Sequence, residues 1–272
     1  PPNSQGTTAH FALNVVEAAG PASADPIERM HLLVEAVKLA LVERDAHLTD
    51  PAHMSVDPAY LADPAPARER VGDLHPYAWR PPVGRGGGGG TAAVVAVDPA
   101  GGAVSLLGSN YMGFGSGLTV PGWGVNLHNR GAFFTLDPSH RNVIAPGKRT
   151  LHTLMPAMAR RDGRPWFVFG AMGGDGQAQT HVQLLSRLVD DGEDVQAAVS
   201  APRFLVEVDG WHLHLEGRFP PAIVDGLLRR GHDARPASRW DQRMGHAEAI
   251  VIGENGLAGA SDPRVEGLAA GL

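Results

Sequence analysis

Two short apolar runs near the middle of the chain give the clearest secondary-structure signal. Residues 92–97 and 103–107 are rich in alanine, valine and leucine, and the turn sequence Asp98-Pro99-Ala100-Gly101-Gly102 separates them. Valine-rich runs that are broken by proline and glycine are typical of a β-hairpin. The sequence therefore predicts a hairpin whose first strand begins at about Thr91.

The spacing of apolar residues predicts two helices before this hairpin. Residues 7–19 give a first helix that stops at Gly20-Pro21, and a second helix begins after Asp25 and runs to about Ala46. Apolar residues of the second helix recur every three or four positions, which predicts one buried face. Its charged residues are expected to form a solvated surface with local ion pairs: Glu35, Lys38, Glu43, Arg44 and Asp45.

Strand-like and helix-like runs follow one another through the rest of the chain. This pattern predicts an α+β fold in which helices flank hairpin-like strands. Helices are expected at about residues 65–71, 176–189, 194–200 and 221–230, and strands at about 122–127, 166–170, 205–208, 211–216, 247–252 and 257–260.

Composition and charge exclude several classes of function. The 272 residues carry a net charge of −6 with both signs interspersed, so no basic stripe indicates a nucleic-acid partner. No apolar run approaches the length of a membrane span. The absence of cysteine excludes disulfides and thiol chemistry.

The glycine run in front of the hairpin suggests a chemical role for Thr91. A threonine becomes a useful nucleophile when a base lies beside it, and its own α-amino group can serve if the preceding peptide bond is cut. Gly86–Gly90 would give the backbone the freedom that a self-cleavage needs. The alternative is a flexible glycine linker followed by an ordinary first strand residue.

Several segments together resemble the γ-glutamyltransferase family of N-terminal nucleophile hydrolases. They occur in that family's order and cover nearly the whole chain: PPNSQG at 1–6, the helix at 31–51, the stretch from Thr91 through Ser105 to Gly117, APGKRTLHTLMPAM at 145–158, FGAMGG at 169–174, SAPRF at 200–204 and GASDPR at 259–264. The resemblance implies a four-layer αββα fold. It also implies that residues 1–90 are the end of a large-subunit region and residues 91–272 the whole small subunit, folded together, with the N-terminal part of the family's fold absent from this chain.

The resemblance also implies catalytic roles. Thr91 would be the nucleophile after self-cleavage, and Ser109 would orient it, at a position where typical members carry threonine; a plain turn serine is the alternative. Gly173 and Gly174, between a strand and a helix, would offer backbone N–H groups to an oxyanion, although such a junction is often only a tight turn. Asn110 is a candidate for the pocket wall.

The chain departs from ordinary transferases in its expected substrate-binding residues. No carboxylate stands near Phe133, where those enzymes hold an α-ammonium group, and Arg130 replaces another amino-group ligand. A guanidinium favours a carboxylate instead. His152 and Thr153 stand where two serines are typical, and His152 could equally be a structural histidine. These departures indicate an acylase-like branch of the family.

The functional hypothesis is a γ-glutamyl transferase or hydrolase that works through an acyl-enzyme on Thr91 without a cofactor. Its partners would be a small γ-glutamyl or acyl amide and the two subunits of its own precursor. The alternatives are an acylase for dicarboxylic acyl amides and a non-catalytic remnant. No metal is expected, since the 13 histidines form no HExxH motif and no cysteine ligands exist. The glycine run lacks the residues of a phosphate loop.

Overall fold

The computed structural model describes residues 2–20, 23–82 and 89–271. Within these residues the chain forms six α-helices and eleven strands, as the mixed pattern predicts. The helices are α1 Gly6–Ala18, α2 Pro26–His47, α3 Pro64–Arg70, α4 Gly176–Val189, α5 Val195–Ser200 and α6 Pro221–Arg229. The strands are β1 Gly90–Val97, β2 Ala103–Tyr111, β3 Thr119–Val120, β4 Val125–Asn126, β5 Ala157–Arg161, β6 Arg164–Ala171, β7 Phe204–Glu207, β8 His212–Glu216, β9 Ala234–Ala237, β10 Ala247–Gly253 and β11 Gly256–Ser261.

The chain divides into two compact units. The first comprises the described residues within 1–87, 130–153 and 204–239, and the second those within 88–129, 154–203 and 240–272. This division does not follow the expected processing boundary between residues 90 and 91, which stays a prediction.

Helix α2 is the longest element of the first unit. The Asp25 carboxylate caps its first turn by accepting a hydrogen bond from the backbone N–H of Ile27 at 2.8 Å, and Pro26 follows as the first helical residue. The expectation of a solvated charged surface is wrong for Arg44 and Glu43, which are 0% and 6% exposed, and for Glu35 and Lys38, which are each only 2% exposed. A buried charge needs a partner, and Glu35 and Lys38 find one in each other and in a neighbouring stretch of chain.

A three-stranded sheet completes the first unit. Strands β7 and β8 are antiparallel, and β9 joins β8 in parallel. Strand β9 was not predicted because Pro236 lies inside it. A proline is tolerated in an edge strand, where its missing N–H removes no ladder hydrogen bond.

The second unit has three layers: the β1–β2 hairpin, a four-stranded sheet and two helices. The sheet has the order β11-β10-β6-β5 with antiparallel neighbours. Alternate residues of β6, namely Phe167, Phe169 and Ala171, form a buried core with apolar residues of α4 and α5. Residues between them, such as Gly170, lie on the face toward the hairpin, because successive side chains of a strand point to opposite faces.

One face of the hairpin is apolar and exposed. Val94 pairs with Leu106, and the two are 56% and 62% exposed. Val104, which pairs with Ala96, is 51% exposed on the same face. Among the described strands, β1 and β2 pair only with each other.

Three further details differ from the sequence predictions. The expected strand at 122–127 shrinks to the two-residue β4, paired with β3. Strand β2 extends beyond the predicted run at 103–107 and includes Gly108–Tyr111. Strand β5 was missed, although the Asp162-Gly163 pair that joins it to β6 is a favoured hairpin turn and both residues have positive φ. No helix in the described part of the chain is long and apolar enough to cross a membrane.

Candidate active site

Thr91 lies at an irregularity in the hairpin of the second unit. Gly90 pairs with Tyr111 and Ala92 pairs with Gly108, so β2 contributes one residue more than β1 between these two pairs. Thr91 therefore faces the two residues Ser109 and Asn110. Such bulges re-aim side chains and are common beside functional sites.

Ser109 contacts the peptide bond that precedes Thr91. Its hydroxyl donates a hydrogen bond to the carbonyl oxygen of Gly90 at 2.6 Å and accepts one from the backbone N–H of Tyr111 at 2.9 Å. The carbonyl of Gly90 belongs to the bond that would be cut. The structure thus gives Ser109 a contact with the electrophile of the expected self-cleavage, whereas its predicted bond to the threonine hydroxyl stays a prediction.

An open depression of about 270 Å³ surrounds Thr91. Its walls are formed by residues of the two strands and the loop after them: Gly90, Thr91, Ala92, Gly108, Ser109, Asn110 and Gly113. Asn110 lines this depression, and its contact with a substrate stays a prediction. The depression places the threonine, the serine and the carbonyl within reach of a small molecule.

Asn129 holds the loop that follows Asn110. Its backbone N–H donates to the carbonyl of Asn110 at 3.1 Å, and its side chain binds the N–H of Met112 at 3.0 Å and the carbonyl of Gly115 at 3.0 Å. Asn129 is not among the site residues that the sequence predicts. Only the residue type could have indicated this role, because an asparagine side chain offers an irregular backbone both a hydrogen-bond donor and an acceptor.

Gly173 and Gly174 form the predicted turn between β6 and α4. Both have positive φ, 136° and 56°, a conformation that favours glycine. A Cβ on Gly173 would lie 3.2 Å from Cα of Gly245, so the turn is closely packed. The turn therefore has a backbone that favours glycine at both positions, and the oxyanion role of the two glycines stays a prediction.

The hairpin meets β6 three residues before this turn. A Cβ on Gly170 would lie 3.1 Å from Oγ of Ser105, and the Ser105 hydroxyl donates to the carbonyl of Phe169 at 2.8 Å. Ala93, two residues after Thr91, also lies beside Gly170. Gly170 thus lets the strand that carries Thr91 approach the strand that leads to the glycine turn.

A buried ion network supports the glycine turn from behind. Asp262 lies between Arg203 and Arg264, with N···O distances of 2.8 and 3.1 Å. Arg203 also donates to the carbonyl of Gly245 at 3.0 Å. Because Gly245 packs on Gly173, the network fixes the position of the turn.

The two histidines near this network, His181 and His246, have lowered pKa values. Burial, with a further contribution from Arg203, lowers the pKa of His181 to about 3. Burial also lowers the pKa of His246, and the Arg203 and Arg264 charges act in the same direction, against Asp262.

The other predicted substrate residues belong to the first unit. Arg130 is buried at the start of a 3₁₀ turn, Arg130–Phe133. The backbone of His152 exchanges hydrogen bonds with Asn3 and Gln5 at 3.0 and 3.1 Å, and the Gln5 side chain donates to the carbonyl of Thr153 at 2.9 Å. These contacts tie the 152–153 segment to the PPNSQG stretch, and the substrate contacts of all three residues stay predictions.

Comparison with known proteins places these features in a family. The family profile described as gamma-glutamyltranspeptidase matches residues 1–272. The chain is 42% identical over 280 residues to an oxamate amidohydrolase proenzyme of Klebsiella pneumoniae, covering 99% of this chain and 52% of the relative. It is 39% identical over 281 residues to the glutathione hydrolase-like YwrD proenzyme of Bacillus subtilis, covering 100% and 53%.

Among solved structures, a cephalosporin acylase from Bacillus halodurans matches with a TM-score of 0.90 and 38% identity, covering 99% of this chain and 50% of that one. The chain thus spans about half the length of the curated relatives it matches. Both curated relatives are named as proenzymes. The chain belongs to the γ-glutamyltranspeptidase family of N-terminal nucleophile hydrolases, in its acylase-like branch.

Proposed function

We propose that this chain carries the catalytic machinery of an amidohydrolase that cuts its own peptide bond between Gly90 and Thr91. The observation that carries the proposal is the 2.6 Å hydrogen bond from Ser109 Oγ to the Gly90 carbonyl oxygen, beside Thr91 in an open depression. A hydroxyl that donates to a carbonyl oxygen makes the carbonyl carbon more electrophilic and stabilises the oxyanion that forms on attack.

Maturation proceeds by an N-to-O acyl shift. The Thr91 hydroxyl oxygen bonds to the Gly90 carbonyl carbon, the C–N bond breaks, and the Thr91 nitrogen takes up the hydroxyl proton. Water then hydrolyses the resulting ester, which leaves a carboxylate on Gly90 and a free amino group and hydroxyl on Thr91. No external reagent other than water is needed.

Turnover uses the same threonine. The freed α-amino group accepts the proton of the Thr91 hydroxyl as its oxygen attacks the substrate amide carbonyl. The N–H groups of Gly173 and Gly174 hold the oxyanion of the tetrahedral intermediate. The amine leaves with the proton, and water or a second amine releases the acyl group.

The substrate is an amide whose acyl group bears a carboxylate but no α-ammonium group. No aspartate or glutamate occurs between Asp98 and Asp137, so this region offers no anion to an ammonium, and Arg130 offers a bidentate partner to a carboxylate. The names of the amidohydrolase and acylase relatives agree with this choice. The second candidate is γ-glutamyl hydrolysis or transfer, which the family match over the whole chain favours.

Intact mass spectrometry of the full precursor, followed by parallel assays with glutaryl and γ-glutamyl amides, tests this function. We expect two pieces, one beginning at Thr91, and faster release from glutaryl amides. The Thr91→Ala variant should remain one chain without activity, while Thr119→Ala, an exposed threonine of the same unit, should behave as wild type. Cleavage in Thr91→Ala would overturn the mechanism. An uncut, inactive wild-type precursor would favour the non-catalytic remnant.

A further inference from the structure

Residues 75–82, the last described residues before the glycine run, have no regular secondary structure but are held by side chains. We call them the anchored segment. Irregular backbone must find hydrogen-bond partners outside a helix or sheet. Here the partners come from three places in the first unit: helix α2, Arg230 just after α6, and Trp211 just before β8. We call the five residues that supply them the anchor residues: His31, Glu35, Lys38, Trp211 and Arg230.

Helix α2 supplies three of the contacts from one face. His31, Glu35 and Lys38 are spaced by four and three residues and so lie on the same side of the helix. His31 Nε2 donates to the carbonyl of His75 at 2.7 Å. Glu35 accepts from the backbone N–H of Trp79 at 3.1 Å, and Lys38 donates to the carbonyl of Trp79 at 3.0 Å.

The other contacts extend to the end of the segment. The N–H of Ala78 donates to the carbonyl of Arg230 at 2.7 Å, and the indole Nε1 of Trp211 donates to the carbonyl of Pro82 at 3.0 Å. Trp211 is 6% exposed and has a φ of 56°, a conformation that is strained for a bulky residue. The fold tolerates this strain and so keeps the indole on Pro82.

The burial of the Glu35–Lys38 pair indicates what the pair is for. The two groups are 2.7 Å apart, and burying such a pair is often no better for stability than apolar side chains of similar volume. An apolar pair could not bind the N–H and the carbonyl of Trp79 at once. The charged pair therefore secures a particular piece of backbone.

The same cluster satisfies the distance requirement for a metal site but not its chemistry. One ligand atom each from His31, Glu35 and His232 lie within 4.8 Å of one another. However, the Lys38 ammonium already binds the Glu35 carboxylate. The Nε2 atom of His31 is hydrogen-bonded to the carbonyl of His75, and its Nδ1 atom is hydrogen-bonded to Nε2 of His232 at 2.8 Å. Because the His75 carbonyl only accepts, Nε2 of His31 carries a proton and its Nδ1 accepts from His232. The ligand atoms that a metal would need therefore already bind other groups of this cluster.

We propose that the anchor residues position the linker for cleavage before Thr91 and keep the anchored segment docked after the cut. The proposal rests on the proposed self-cleavage. Trp211 holds the carbonyl of Pro82 within the first unit, and Ser109 holds the carbonyl of Gly90 within the second. Docking residues 75–82 on the first unit lowers the conformational entropy of the chain that leads to the scissile bond, which raises the frequency of productive geometry there.

Rates of cleavage in the full precursor test the positioning role. Trp211→Phe keeps the ring and removes the N–H, and the double change Glu35→Gln with Lys38→Met removes both charges without leaving one unpaired. Each should slow cleavage about fivefold to tenfold, the effect of about one hydrogen bond. Val37→Ala is the matched control, since Val37 is a buried residue of α2 whose loss costs packing without touching the segment's hydrogen bonds.

Two further readouts separate positioning from stability. Fully matured Trp211→Phe should have the kcat and KM of the wild type, and hydrogen exchange at the amides of Ala78 and Trp79 should stay slow after cleavage. The proposal is overturned if Val37→Ala slows cleavage as much as Trp211→Phe, if Trp211→Phe cleaves at the wild-type rate, or if the two amides exchange freely once the chain is cut. Failure of the proposed function is seen separately, as cleavage in Thr91→Ala or none in the wild type.

Discussion

The hydroxyl of Ser109 donates to the carbonyl oxygen of Gly90, and the carbonyl carbon of Gly90 is the atom that Thr91 would attack. Removal of one oxyanion donor typically costs about 10²–10³ in rate. We therefore expect Ser109→Ala to slow self-cleavage by about 10²-fold and Ser109→Thr to restore most of the rate. The time course of precursor loss by intact mass spectrometry measures both.

Ser116→Ala is the control for that experiment. Ser116 also donates to a backbone carbonyl, that of Leu127 at 2.9 Å, in an exposed loop of the same unit. The Ser116→Ala precursor should cleave itself at the wild-type rate. Equal rates in Ser109→Ala and the wild type would remove Ser109 from the mechanism.

Arg130 is expected to select acyl groups that bear a carboxylate. Arg130→Gln should raise KM for a glutaryl amide at least about tenfold, since a charge-assisted hydrogen bond contributes about 1.5–3 kcal/mol, with a smaller effect on kcat. Arg130→Lys keeps the positive charge but loses the bidentate geometry of the guanidinium, so its KM should lie between those of the wild type and Arg130→Gln. An unchanged KM in both variants would place the carboxylate contact elsewhere.

Gly170 is expected to be intolerant of a side chain because a Cβ there would lie 3.1 Å from Ser105 Oγ and 3.2 Å from Leu107 Cδ2. Gly170→Val should destabilise the protein by about 1–3 kcal/mol through overpacking and reduce self-cleavage. Gly108→Ala is the matched control for stability, because nothing lies within 4 Å of its Cβ. Denaturant unfolding compares the two variants, and equal midpoints would contradict close packing of the hairpin on β6.

Asp262 is the carboxylate that pairs with both Arg203 and Arg264 in the buried network, so replacing it with a neutral residue should lower the stability of the protein. Asp262→Asn leaves Arg203 and Arg264 buried without a counter-charge, which we expect to lower the free energy of unfolding by about 3–5 kcal/mol. Arg243→Ala breaks a pair with Asp241 in which Arg243 is 56% exposed, and should cost less than about 1 kcal/mol. A small effect of Asp262→Asn would mean that the network does not support the glycine turn.

His181 should make the protein less stable in acid. Its pKa is lowered from 6.5 to about 3 by burial, so the unfolded chain binds a proton that the folded chain does not between these values. The stabilisation is complete above pH 6.5 and decreases as the pH falls toward 3, by about 1.4 kcal/mol per unit for one proton. His181→Leu should reduce the pH dependence of the free energy of unfolding by about one proton in denaturant titrations at several pH values.

The sequence predicts much of the scaffold because its signals are local. Helix α4 has the predicted bounds, and the β1–β2 hairpin forms around the predicted turn. The burial of Glu35 and Lys38 was beyond a local pattern, since it depends on a chain segment some forty residues away that covers one side of α2. The contact of Ser109 with Gly90 depends on the extra residue in β2, and strand register of this kind is a tertiary property.

The exposed apolar face of the hairpin has a practical consequence for solubility. Val94, Val104 and Leu106 project from one side of two strands that, among the described strands, pair only with each other. Open strand edges beside an apolar face invite strand-to-strand association between molecules. We expect this chain, purified without further polypeptide, to aggregate with rising concentration, and a lysine in place of Leu106 to delay the onset in light scattering.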